Sequence, residues 1–151
     1  MVARRTRVIA APTQALWEVV ADPHHFPRWW PGVVRVEGVH EDRFTQVYTT
    51  KRGRSVRMDF RLTASEPPQH RGSGRVSFEQ EVTGTPFERV LNASMTEVEL
   101  EPDERGTRVT IAQQQKLRGY SRTGGWMLRR ATGTRLQEAL EGLERATAGR
   151  D

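Results

Sequence analysis

The sequence predicts an α+β fold, a curved seven-stranded antiparallel sheet wrapped around one long C-terminal helix, with two short helices between the first and second strands. Three observations predict it. Residues 13–30 carry apolar side chains near helical spacing, in two short stretches split by Asp22-Pro23. From residue 33 to about 118 the apolar period drops to two, broken by brief turn sequences. Residues 126–147 then return to helical spacing. Strands gathered between helices are the pattern of an α+β domain, and 151 residues suit one domain spanning 1–151. A sheet with one apolar face and one long amphipathic helix is closed most economically by curling the sheet around the helix. Such a sheet does not close tightly on one helix, which leaves room for a cavity of the kind that hosts apolar ligands.

The elements follow in order. Residues 3–10 form a first strand, with Thr6 and Val8 on one face and Arg5 and Arg7 on the other. Pro12 opens a helix, where its missing N–H costs nothing. Leu16, Val19 and Val20 mark that helix, and Pro23-His24-His25-Phe26-Pro27-Arg28-Trp29-Trp30 reads as a second, irregular one. Pro31-Gly32 ends it. A strand from 33 places Val34, Val36 and Gly38 opposite Arg35, Glu37 and Val39. Another lies near 43–51, and Lys51-Arg52-Gly53-Arg54 is a turn. The clearest strand is 55–65, where Val56, Met58, Phe60 and Leu62 alternate with Arg57, Asp59 and Arg61. Residues 73–82 set Val76, Phe78, Gln80 and Val82 against Arg75, Ser77, Glu79 and Glu81. Thr96, Val98 and Leu100 face inward from 91–101, and Val109, Ile111, Gln113, Gln115 and Leu117 from 107–118. Gly119 to Gly125 is a hinge, and Leu128, Ala131, Thr132, Leu136, Ala139, Leu140 and Leu143 form the stripe of the final helix.

Composition excludes several chemistries. The chain has no cysteine, so a thiol nucleophile, an iron–sulfur cluster and a thiolate zinc site are excluded. No apolar run is long enough to span a membrane. The start Met-Val-Ala-Arg-Arg-Thr-Arg lacks the apolar stretch of a secretory signal, so a cytoplasmic location is expected. The net charge is +5, and of 24 basic residues only Lys51 and Lys116 are lysines. The excess lies in the first half, but its arginines are spaced by two, as on the wet face of strands. Nucleic acid is therefore not the expected partner. His24-His25, His40 and His70 have no metal-ligand spacing, and no metal is expected. Ser121 has no base at a known spacing, and no P-loop, Rossmann or nucleophile-elbow pattern occurs.

The segments Val8-Ile9-Ala10-Ala11-Pro12, Leu16-Trp17-Glu18-Val19-Val20-Ala21-Asp22 and Phe26-Pro27-Arg28-Trp29-Trp30-Pro31-Gly32-Val33 resemble the opening of the START-like (SRPBCC) superfamily. The resemblance is closest to the bacterial polyketide cyclase/dehydrase and lipid-transport group, and the order of elements agrees along nearly the whole chain. It implies a helix-grip fold with a hydrophobic cavity, and it implies no cofactor. Members of that superfamily include carriers, cyclases and receptors, so function must come from the site.

The candidate ligand-binding residues are Trp30, Tyr48, Met58, Phe60, Phe78, Gln80, Gln113, Gln115, Met127 and Arg130. Gln80, Gln113 and Gln115 fall on inward faces among apolar neighbours, and a buried amide without partners costs about 1–3 kcal/mol. A cavity holding a polar ligand group would satisfy them, whereas a shift of one residue would turn each to water. Gln46 and Tyr48 share a face with Phe44 and join the same set. Trp29-Trp30 is either a lid at the cavity mouth or a plug in the core. Met58, Phe60, Phe78 and Val109 are core residues that this fold also turns toward a cavity. Arg130, beside Met127 early in the last helix, is a candidate partner for a ligand carboxylate or enolate. The expected partner is a small hydrophobic ligand. The alternatives are a polyketide cyclase, aromatase or dehydratase, for which Tyr48, Arg130 and Asp59 are the available groups, and an interaction module that meets nucleic acid through the basic half.

Overall fold

A computed structural model describes residues 1–69, 72–119 and 124–149. His70 and Ser121 lie outside the described residues. The elements are β1 (Val2–Ile9), α1 (Thr13–Val20), α2 (Phe26–Trp29), β2 (Val33–His40), β3 (Arg43–Thr49), β4 (Ser55–Glu66), β5 (Gly74–Gln80), β6 (Leu91–Asp103), β7 (Gly106–Leu117) and α3 (Gly125–Thr147). The seven strands form one antiparallel sheet in the order β1-β7-β6-β5-β4-β3-β2. The two short helices therefore carry the chain from one edge of the sheet to the other. This is the expected α+β architecture, with α3 against the sheet.

The core sits between α3 and one end of the sheet. Leu136, Ala139, Leu140 and Leu143 are fully buried with Val76, Val98, Leu100, Val109 and Ile111. The strands meet this core through their alternate residues, and facing pairs such as Val98–Ile111 and Leu100–Val109 stack in register. The helix approaches closely because two of its positions are glycine. A β-carbon at Gly142 would collide with the Trp29 backbone, and one at Gly133 would collide with the Arg5 guanidinium. α1 buries Leu16, Trp17, Val19 and Val20 in the same core.

Two faces differ from the sequence expectation. In β1, Ala3, Arg5, Arg7 and Ile9 pair with Gln113, Ile111, Val109 and Thr107, whose side chains face α3. Arg5 and Arg7 are thus on the helix side, and Thr6 and Val8 are on the outer face. Arg5 lies over Gly133, and Arg7 pairs with Glu144 of α3 at 2.9 Å. Long guanidinium side chains at a sheet edge reach past the apolar layer and keep their heads in water. In β2 the register shifts between Val33 and Arg35, so Val33 is buried and Val34 is half exposed. A bulge at that point reverses the alternation for one residue.

On the outer face, arginines pair with strand glutamates. Arg35 and Arg57 hold Glu37, Arg75 bridges Glu66 and Glu97, and Arg43 and Arg61 meet Glu81 and Glu79. Asp59, also outward as expected, accepts from Thr45 Oγ1 at 2.6 Å. Exposed pairs of this kind each contribute at most about 1 kcal/mol.

Candidate functional site

The inner face of the sheet changes character along its strands. β7 reads Thr107, Val109 and Ile111, then Gln113 and Gln115. β6 reads Leu100 and Val98, then Thr96 and Ser94. β5 reads Val76 and Phe78, then Gln80. Pairing aligns these switches, with Thr96 opposite Gln113 and Ser94 opposite Gln115. The polar ends therefore form one layer, and above that layer a cavity of about 430 Å³ opens under the N-terminal half of α3.

One side of the cavity is aromatic. Phe44 stacks on Phe60 at 5.3 Å and on Phe26 at 5.4 Å, and Phe78 meets Phe26, Phe60 and Trp30 edge-on. Such offset and edge-to-face rings pack densely and hold one another in place. Trp29 and Trp30 are both buried and touch at 5.4 Å. Trp30 lines the cavity, whereas Trp29 packs on Phe26 beneath it. The pair thus divides between cavity wall and core.

The amides are the chemically distinctive groups. Gln46, Gln80 and Gln113 are buried, and Gln115 is half buried. Tyr48 Oη donates to Gln46 Oε1 at 2.5 Å, which leaves Gln46 Nε2 without a partner in the protein. Gln113 Nε2 donates to Thr96 Oγ1 at 2.9 Å, leaving its Oε1 unpartnered. Gln115 Nε2 reaches Ser94 Oγ at 3.4 Å, and its Oε1 is unpartnered too. Gln80 Nε2 has no partner. Two unpartnered donors on β3 and β5 and two unpartnered acceptors on β7 therefore belong to residues that line one largely apolar space. Each such orphan costs about 1–3 kcal/mol unless something in the cavity meets it.

Burial pushes the Tyr48 hydroxyl up to about 12, with the Arg135 guanidinium and the Trp30 side chain acting in the opposite direction. Tyr48 is thus a neutral hydrogen-bond donor at every physiological pH. Arg135 is the charged group of the lining. Among the described residues no carboxylate, imidazole or ammonium lines the cavity, and no group of three or more His, Cys, Asp or Glu side chains is placed to hold a metal.

Of the sequence candidates, Trp30, Tyr48, Met58, Phe60, Phe78, Gln80, Gln113 and Gln115 come together around this cavity. Met127 and Arg130 do not. Met127 is 60% exposed, Arg130 is exposed as well, and the helix turns Leu128 and Arg135 to the cavity instead. Sequence reading assigned no ligand role to Leu128, Arg135, Ser94 or the Phe87–Leu91 stretch, which completes the wall. A signal for the helix phase was present. The buried seam Thr132, Leu136, Ala139, Leu140 and Leu143, stepped back four residues from Thr132, gives Leu128.

The fold is shared with solved structures of low sequence identity. A protein from Thermus thermophilus aligns with TM-score 0.72 at 18% identity, over 96% of this chain and 95% of its own. One from Deinococcus radiodurans aligns with TM-score 0.65 at 20% identity, over 96% and 95%. The di-domain ARO/CYC BexL from the BE-7585A biosynthetic pathway aligns with TM-score 0.75 at 24% identity, over 96% of this chain and 45% of its own. No curated protein matches the chain. No helix among the described residues is long and apolar enough to cross a membrane. Residues 2–148 match the family described as polyketide cyclase / dehydrase and lipid transport, and the chain belongs to that family.

Proposed function

We propose that this protein binds a small, largely apolar ligand, lipid- or polyketide-like, in the cavity between the sheet and α3. The observation that carries the reading is a largely apolar cavity whose lining includes four glutamines, each with a buried amide atom that has no partner in the protein. Aromatic and aliphatic walls supply affinity at about 25 cal/mol per Å² of apolar surface removed from water. The amides, Ser94, Thr96 and Tyr48 orient ligand oxygens, because a ligand that fails to meet them leaves them desolvated and orphaned. Trp30, Met58, Phe60, Phe78, Gln80, Gln113 and Gln115 are the contact residues of this reading. The acidic partners of the outer-face arginines weigh against a nucleic-acid surface in this reading. The 151 residues act as one domain in this reading.

The test is displacement of Nile red, an uncharged dye, by small oxygenated aromatics, together with native mass spectrometry of protein purified from its own host. Saturable, displaceable dye binding and a bound mass support the reading. A protein that takes up no dye and carries no mass overturns it.

A second reading is catalytic, and Tyr48 favours it. A phenol kept protonated beside a guanidinium is suited to donate to a carbonyl that develops negative charge, as in cyclisation of a poly-β-ketone. The described lining offers no carboxylate or imidazole to remove the carbon-bound proton. Catalysis here would rest on folding the substrate in the cavity and on neutral hydrogen-bond donors. Turnover that falls at least tenfold in Tyr48→Phe, with ligand affinity kept, would establish this reading over simple binding.

A further inference from the structure

A second concavity adjoins the cavity and differs from it in chemistry. It is a polar groove of about 720 Å³ between the end of β7 and the first turns of α3. Gln115 and Leu117 belong to the lining of both spaces, so the two adjoin at the end of β7. The groove lining holds Lys116, Arg118 and Arg129, and among the described residues it holds no acidic side chain. Arg118 Nε donates to Asn92 Oδ1 at 2.7 Å, which fixes the direction of that guanidinium. Neither Lys116 nor Arg129 has a carboxylate within ion-pair distance among the described residues, in contrast to Arg7, Arg35, Arg57 and Arg75 elsewhere. The N-terminus of α3, a helix of 23 residues, adds to the positive field. Its N-cap is Gly124, no side chain caps it, and its first turn holds no acid. Trp126, 65% exposed, stands at the groove wall.

An apolar cavity that opens beside a cationic groove matches a molecule with an apolar body and an anionic end. We propose that cavity and groove form one two-part site for an anionic amphiphile, whose body lies in the cavity and whose phosphate, sulfonate or carboxylate head lies among Lys116, Arg118 and Arg129. The inference rests on the ligand-binding reading above and adds the charge of the ligand and the end at which it emerges.

Two fluorescent probes test it, 8-anilinonaphthalene-1-sulfonate and N-phenyl-1-naphthylamine, which differ by one sulfonate. At low salt the anionic probe is expected to bind about tenfold more tightly, the size suited to two or three partly exposed charge contacts. Added salt should erase most of that preference. The double variant Lys116→Gln/Arg129→Gln, both exposed or half-exposed positions whose replacement leaves the core intact, should bring the two probes to equal affinity and leave the neutral one within about twofold. Equal affinity of the two probes for the unaltered protein overturns the proposal and leaves the cavity reading standing. A preference that survives the double variant, or that Arg135→Gln removes in its place, also overturns it. Failure of both probes to bind overturns the cavity reading as well. Sedimentation with phosphatidylglycerol vesicles separates two sources of the head. Retention that the double variant loses assigns it to a membrane lipid, and probe preference without retention assigns it to a dissolved amphiphile. Either result supports the site.

Discussion

The two ends of the inner sheet face are built from the same strands and the same helix, yet they do opposite things. At one end Val76, Val98, Leu100, Val109 and Ile111 meet Leu136, Ala139, Leu140 and Leu143 with no solvent access. At the other end the same strands present Gln80, Thr96, Ser94, Gln113 and Gln115, and the same helix presents Leu128 and Arg135 across a cavity. The difference lies in side-chain chemistry and volume, because β6 and β7 stay in register from Leu100 opposite Val109 to Ser94 opposite Gln115 and shift only between Ala93 and Leu91. One end provides the stability that lets the other remain incompletely packed. A site that keeps orphaned amides needs such a support, since its own contributions to folding are small or unfavourable.

Cutting into each end separates the two roles. Leu140→Ala removes a fully buried side chain from the packed end. It is expected to cost about 2–5 kcal/mol, as the transfer term and the cavity term add. Urea denaturation measures this, and Nile red affinity should stay unchanged at temperatures where the variant is folded. A loss below about 1 kcal/mol would show that α3 is not held mainly by this end. Gln80→Leu acts in the opposite direction. Its Nε2 is a buried donor without a partner, so an apolar replacement of similar size removes a desolvation cost. Stability should rise by about 1 kcal/mol, while affinity for an oxygen-bearing ligand falls relative to Nile red. A variant less stable than the parent would show that Gln80 is satisfied in the folded protein, and the contrast between the ends would weaken.

This contrast was largely legible in the sequence, because a period of two sorts each strand into faces and the inward face of 107–118 passes visibly from Val109 and Ile111 to Gln113 and Gln115. The aromatic wall was legible for the same reason. What escaped depended on contacts between distant segments. Arg5 and Arg7 read as solvated charges, but the strand edge that carries them faces α3, and their partners Gly133 and Glu144 lie far along the chain. Val34 escaped because Pro31-Gly32 announces the end of the helix but not the register shift between Val33 and Arg35 that follows it. The phase of the first turns of α3 was legible, since the apolar stripe already contains Leu128, and a helix advances about 100° per residue, which sets Met127 and Arg130 off that stripe.

The smallest expected effect concerns Tyr48, which stands where the aromatic wall meets the amides. Its hydroxyl bonds Gln46 Oε1, and Tyr48→Phe should cost about 0.5–1.5 kcal/mol at neutral pH. The pH dependence is the more specific signature. The folded protein holds this proton up to about 12, against the ordinary value of 10.0. Above the ordinary value the unfolded chain releases a proton that the folded chain keeps, so the unfolded state binds fewer protons. Stability therefore falls as pH rises from about 10 toward about 12, and the contribution is fully present below that window. Urea denaturation across this range should show a decline in the parent protein that is shallower in Tyr48→Phe. Parallel declines would place the Tyr48 hydroxyl in contact with water, and its role as a neutral donor inside the cavity would fall with that result. A decline confined to the parent ties the hydroxyl to the dry aromatic wall and its hydrogen bond to the amide layer, which is the boundary a bound ligand would span.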